Sequence, residues 1–532
     1  MLKRIFFVSV LLLVVIIPYA QVTLQTGTAV FMLPMFKWQD NKSRLTTLVA
    51  LNYSSGNGLR VNDVASNVGQ GWSLVAGGVI TRMQVGEPDD QQAFDGTAGG
   101  DQDISRYPAG YLNEPVSPIN GCPNALTKYP IYGGMNQQYT QHNRTVEDRQ
   151  LDRFAFQFNG KFGIFVVDPA DGGVGRQLGD TRMIIKFQQD PTLVNQGIRT
   201  TITSFTIQDV DGLIYKFSQH GLTQVLHEDY CDEDEVQPKA QPTFESGNVY
   251  FQKGFINSKI VRPYVINSWY LSEIDDPLTG RKIIFNYVNR TINNDAGKDV
   301  SYNLQGDYSI ISHKTSITTT PEILSIVYPD GHIVSVGYGD DRYDLLGEKA
   351  IKSVGISYQG RFISMYQLKT SYFMLNRYGT PVTPYQKSIC RLSLQSVTKI
   401  GVDLKEDSPP YIFDYYLGSD NPDDFVPPPF FYAKDIWGFY NGSNSVAYDG
   451  SPIPLNTTIS QLNNNQLKGL CFLNQQVTGV YLNAKPKYAQ NGLLKQIIYP
   501  TGGTLSYEYE QNSGVLNGSA TMVGGVHVLR TS

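Results

Sequence analysis

Few side chains in this 532-residue sequence have the type and spacing that chemistry needs. The six histidines (His142, His220, His227, His313, His332 and His527) are scattered. Only His220 and His227 lie near other ligand types, with Glu228, Asp229 and Cys231. That stretch has no helical period to gather them, and an acidic loop of this kind is ordinarily a solvated surface. The acidic run from Asp232 to Glu235, and the group Asp89, Asp90, Asp95 and Asp101, offer the oxygen ligands of Ca²⁺. Neither keeps the Asp-x-Asp-x-Asp-Gly register of an EF-hand loop. No G-x-S-x-G elbow, H-E-x-x-H helix or P-loop is present. Gly69-Gln70-Gly71 lacks the third glycine of a dinucleotide fingerprint and precedes a strand. Asp275-Asp276 stands before Pro277, where Asp bonds local backbone in a turn. The expectation is a non-enzymatic protein that uses no cofactor and no metal.

Aromatic residues are the remaining candidates. Trp269 and Tyr270, and the cluster Trp437, Phe439 and Tyr440, would contact a glycan or a protein if exposed. Buried, they are sheet core, and the strand-like alternation around them favours core. The elements that carry such rings repeat one template: a strand, a turn ending in Gly, then a strand with aromatics. Asn159-Gly160 precedes Phe162 and Phe165, and Asp211-Gly212 precedes Tyr215 and Phe217. Thr279-Gly280 precedes Phe285 and Tyr287, Asp330-Gly331 precedes Tyr338, and Thr501-Gly502-Gly503 precedes Tyr507 and Tyr509. Glycine supplies the positive φ of a tight hairpin, and aromatics at period two line one sheet face.

Composition agrees: 12% aromatic, 50 Gly and only 17% charged residues describe a turn-rich β protein. A net charge of −5 without a basic stripe excludes a nucleic-acid partner. Lys3 and Arg4 followed by an apolar run from Ile5 to Ile17 have the layout of a signal peptide, too short to span a bilayer comfortably. The expected location is therefore secreted or at the outer cell surface, with no transmembrane span after cleavage. Cys122, Cys231, Cys390 and Cys471 are too far apart for C-x-x-C motifs, and both disulfides and buried thiols remain open. The expected fold is all-β, with antiparallel hairpins in a β-sandwich or spiralling sheet and long irregular loops. Its expected parts are a signal peptide (1–20), an N-terminal β domain (21–235) with a loop excursion at 86–150, a hairpin region (250–425) and a C-terminal hairpin segment (426–532).

One block is more specific. Leu51-Asn52-Tyr53-Ser54-Ser55-Gly56 is followed by Val68-Gly69-Gln70-Gly71-Trp72-Ser73-Leu74 and Ala76-Gly77-Gly78-Val79-Ile80-Thr81-Arg82. Together with Asp435-Ile436-Trp437-Gly438-Phe439-Tyr440 and Tyr499-Pro500-Thr501-Gly502-Gly503, it resembles the N-terminal region of RHS/YD-repeat proteins exported by Bacteroidetes-type bacteria. The resemblance implies a large surface or toxin-delivery protein whose repeats wind into a β-shell, acting as a scaffold or in adhesion. It implies a partner in a downstream YD-repeat or toxin polypeptide or a cell-surface component, because no run of YD repeats follows before Ser532. Within the block, Gly69, Gly71, Trp72, Gly77, Gly78 and Arg82 are read as fold-specifying: glycines for close backbone approach, Trp72 for one strand face. The alternative function is a carbohydrate-binding or adhesion module using the aromatic patches.

Overall fold

The computed structural model describes residues 19–23, 26–91, 94–95, 106–107, 112, 151–167, 174–179, 182–230, 256–261, 263–303, 308–373, 390–418, 426–427, 429, 434–435, 437–442, 484–516 and 519–532. Residues 1–18 of the expected signal peptide, the Asp232–Glu235 run and three of the cysteines lie outside them, while Tyr19 and Ala20 are in a strand. Among the described residues the chain is all-β, and every pairing between its strands is antiparallel. The helices among the described residues are two short turns, Pro191–Gln196 and Pro486–Ala489, each begun by a proline whose missing N–H costs nothing there. No helix among the described residues is long and apolar enough to cross a membrane.

A closed ring comes first. The strands Gly78–Met83, Arg153–Phe158, Lys161–Val167, Val174–Leu178, Ile184–Gln189, Ile202–Gln208, Ile214–Tyr230 and Val265–Asp276 pair in that order. Ser268–Tyr270 of the last then pair with Val79–Thr81 of the first, which closes the barrel. Inward positions carry Phe154, Phe156, Phe158, Phe165, Phe205, Tyr215, Phe217 and Trp269, all buried. Closure removes the exposed edges an open sheet would present, and rings fill a lumen of this size.

From Val265–Asp276 the sheet continues as a meander. Arg281–Asn303, Tyr308–Val327, His332–Asp341, Lys349–Tyr358, Arg361–Tyr372, Leu392–Ile400, Tyr411–Tyr415, Leu494–Ile498, Thr504–Leu516 and Ser519–Thr531 each pair with the next. A separate sheet of Tyr19–Val22, Ala29–Gln39, Thr46–Ser54 and Trp72–Val75 covers it. The two faces meet through rings: Phe31 lies 6.2 Å from Phe413, Trp72 4.5 Å from Phe413, and Trp38 4.7 Å from Tyr328. Sandwich and winding sheet are thus both present. One buried cluster runs from Ala29 to Tyr507 and draws residues from all three of the segments expected after the leader.

Because the strands alternate in direction, successive connections fall on opposite rims. The glycine turns at 159–160, 211–212, 279–280, 330–331 and 501–503 therefore all lie on one rim. The long connections at 84–152, 231–255, 373–391 and 416–493 all leave from the other. The template has one exception to its face rule: Phe162 and Phe165 are three residues apart, so Phe165 is buried while Phe162 is 82% exposed. The run from Trp72 to Arg82 forms two strands in different sheets, with Gly77 (φ +85°) between them. The described residues of 434–442 make isolated bridges from Lys434 to Tyr440 and from Phe439 to Arg60.

Candidate functional site

The chain from Leu59 to Arg82 joins the covering sheet to the ring, and it does so by touching distant strands. Gly69 has φ +141°, and a Cβ there would sit 2.7 Å from the Leu394 nitrogen. The Gln70 N–H donates to the Leu392 carbonyl at 2.9 Å, and the Asn67 carbonyl accepts from the Ile351 N–H at 2.8 Å. Trp72 Nε1 donates to the Tyr415 hydroxyl (2.9 Å), which donates in turn to the Leu394 carbonyl (2.5 Å). Gly71 lies against the Tyr53 ring, and a Cβ on Gly78 would fall 2.4 Å from that of Phe158. The block works as a staple across strands that are more than 280 residues away in sequence.

Two arginines complete the staple, and neither was visible from local sequence. Arg391 is fully buried. Its guanidinium donates to the carbonyls of Pro427 (3.0 Å), Val61 (3.1 Å) and Asp63 and to Gln70 Oε1 (2.9 Å). Burial pushes its pKa down to about 10, and the surrounding oxygens compensate in part. Arg342 forks onto Asp344 (2.9 and 2.8 Å) and donates to the Ser66 carbonyl at 3.0 Å. A signal for either would have had to be long-range.

Arg82 anchors a second buried cluster. Its guanidinium lies 2.7 Å from Asp90 and 3.4 Å from Asp152, between the faces of Phe154 and Trp269, both 5.4 Å away. Asp90 accepts from the N–H groups of Thr201 (2.8 Å) and Ile202 (2.5 Å). Asp89 and Asp152 exchange backbone-to-carboxylate bonds: Asp152 N–H to Asp89 (2.9 Å) and Asp89 N–H to Asp152 (3.1 Å). Burial, with Asp152 beside it, raises the Asp89 pKa to about 8, and burial raises that of Asp152 to about 6. These groups join the two ends of the 86–150 excursion to the ring. A similar buried pair, Glu322 and Glu348, faces Arg290 and Asn67, and burial followed by Glu322 raises Glu348 to about 8.

No group of three His, Cys, Asp or Glu is placed to hold a metal among the described residues. Asp89 and Asp90 face a guanidinium and backbone N–H groups, while Asp101 and the Asp95 side chain lie outside the described residues. His220 and His227 are seven residues apart on one strand, roughly 23 Å at the rise of an extended chain. His332 bonds Asp330 at 2.8 Å and packs on Tyr358 at 4.6 Å. His527 bonds Asn512 (2.9 Å) and Glu510 (3.0 Å). Cys390 is buried, and burial raises its thiol to about 11.

The five aromatic candidates do not form one exposed face. Trp269, Phe439 and Tyr440 are buried, Trp269 with its indole N–H on the Ile202 carbonyl at 3.1 Å. Tyr270 is half-buried beside Tyr287. Trp437 alone of the five is exposed, at 41%. A concave site that the sequence did not suggest lies elsewhere, at the rim of the long connections. Its volume is about 310 Å³, and Ser371, Tyr372, Gln395, Asp414, Lys495 and Gln496 are among its lining residues.

No protein-family model matches the sequence, and no curated protein matches it. Solved structures that are similar in part include the following two. The Tc holotoxin pore of Photorhabdus luminescens matches 76% of this chain at 11% identity and a TM-score of 0.35. This chain covers only 16% of that one. The N-terminal domain of effector protein SpvB from Salmonella typhimurium strain LT2 matches 70% of this chain and 98% of its own length, at 11% identity and a TM-score of 0.27. Neither likeness is close enough to carry an argument about fold or role.

Proposed function

We propose that this protein is a non-enzymatic exported scaffold, the N-terminal part of an RHS/YD-repeat cell-surface or toxin-delivery protein. One observation carries the reading: the residues of the family-like block are spent on architecture. Gly69, Gly71 and Gly78 allow backbone contacts that a side chain would block, and Trp72 and Arg82 are buried in structural networks. The buried carboxylates follow the same pattern. Asp90 and Asp152 are paired to Arg82, and Glu322 to Arg290, with bonds that hold strands together. Perturbed carboxyl groups can mark catalytic sites, but structural ion-pair networks perturb them too, and these sit inside packed sheet joints.

A meander of glycine-cornered hairpins also suits continuation by further hairpins of the same kind, which gives the proposed downstream YD-repeat polypeptide a place to attach. The test is fractionation of cells expressing a C-terminally tagged chain, with protease added to intact cells. The expected result is a processed chain that the protease reaches. An unprocessed chain in the cytoplasm would overturn the export half of the proposal.

A further inference from the structure

We propose that the cavity bounded by Tyr372, Gln395, Asp414, Lys495 and Gln496 binds a neutral, hydroxyl-rich ligand, a sugar residue being the class that fits. Its polar groups come from neighbouring strands of one sheet. Asp414 and Gln496 are direct cross-strand partners, and Gln395 lies on the strand before them. Gln395 Nε2 donates to Ser393 Oγ at 2.8 Å, and Gln496 Nε2 donates to Ser506 Oγ at 3.3 Å. Each amide nitrogen thereby uses one of its two N–H groups, so each amide keeps one N–H to donate and an oxygen to accept. Asp414 adds a carboxylate, and Lys495 and Ser371 add donors.

That array selects by chemistry. An anion would meet the Asp414 carboxylate, and a simple cation would meet Lys495. An apolar ligand would strip water from all of these groups without replacing its hydrogen bonds. Hydroxyl groups both donate and accept, so a polyol can satisfy acceptors and donors together. The aromatic wall is held in place before any ligand arrives. Tyr372 stacks on Tyr343 at 5.0 Å and accepts from the Tyr343 N–H at 2.9 Å, and Phe373 meets Tyr415 edge-on at 5.1 Å. Preorganisation of this kind lowers the entropy cost of binding. A volume of about 310 Å³ is at the small end for ligand sites, which suits a single ring or a chain end.

The inference stands whether or not the chain is exported. It is tested with the full chain on an array of defined neutral and anionic oligosaccharides, followed by calorimetric titration of the best neutral probe. The expected result is binding of neutral glycans that weakens about tenfold or more in both Asp414→Asn and Gln496→Ala, from the loss of one or two hydrogen bonds. Those variants should keep the wild-type melting temperature, and Trp437→Ala should bind as the wild type does. Absence of binding to every neutral glycan by folded protein would overturn the proposal. So would binding confined to anionic glycans, or binding that survives both cavity substitutions or is lost in Trp437→Ala.

Discussion

At the scale of single residues, the molecule depends on positions where a side chain is forbidden or where one must reach far. Gly69 and Gly160 both have positive φ, yet only Gly69 is crowded by backbone. Gly69→Ala is therefore expected to cost roughly 3 kcal/mol or more, combining strain with overpacking, against about 1 for Gly160→Ala. Denaturant titration of the two variants checks the difference, and equal losses would refute the close-contact argument. Arg391→Met should cost about 3 kcal/mol, because it leaves buried carbonyls of Val61 and Pro427 without donors. The glycines could be read in the sequence because a turn or a close approach restricts residue type locally. Arg391 and Arg342 could not, since nothing within a few residues of either indicates partners at positions 61–70. Trp269, whose strand-like surroundings favoured core, is buried against Phe154 and Phe205 on other strands.

At the scale of elements, short hairpins with an apolar face were legible and polar ones were not. The paired strands Arg281–Asn303 and Tyr308–Val327 run for 23 and 20 residues. Between 289 and 322 the sequence is dominated by Asn, Thr and Ser, so no alternation marks an inside and an outside. Around Trp437 and Phe439, where alternation looked strand-like, Asp435 instead caps a turn through their N–H groups (2.9 Å each). The joint at the neck of the 86–150 excursion gives a pH prediction. Asp89 is raised from 3.8 to about 8 in the fold, so between about pH 4 and pH 8 the unfolded chain releases a proton that the folded chain retains. Stability contributed by this group falls as pH rises through that window. Asp89→Asn keeps an oxygen for the Asp152 N–H and needs no proton, so it should melt higher than wild type at pH 8, with the gain shrinking towards pH 5. Thermal melts at the two pH values decide it, and an equal shift at both would remove Asp89 as the cause.

At the scale of the whole molecule, all-β antiparallel architecture followed from glycine corners and period-two rings. The closing of the ring did not, because pairing of 79–81 with 268–270 links segments that nothing in their local pattern associates. The buried cluster from Ala29 to Tyr507 predicts that ring and sandwich melt together. Trp269 reports the ring and Trp72 the sandwich. In variants where each is the only buried tryptophan, the two fluorescence transitions should coincide with loss of circular dichroism, and two separated midpoints would show independent units. The division between rims has a practical outcome. Length added at 84–152, 231–255, 373–391 or 416–493 shifts no strand register, whereas an extra residue in a two-residue corner such as Asn159-Gly160 would displace every pairing that follows it. One side of the molecule thus behaves as a fixed spine, and the other takes added length as long as the buried anchors Asp89, Asp90, Asp152 and Arg391 stay in place.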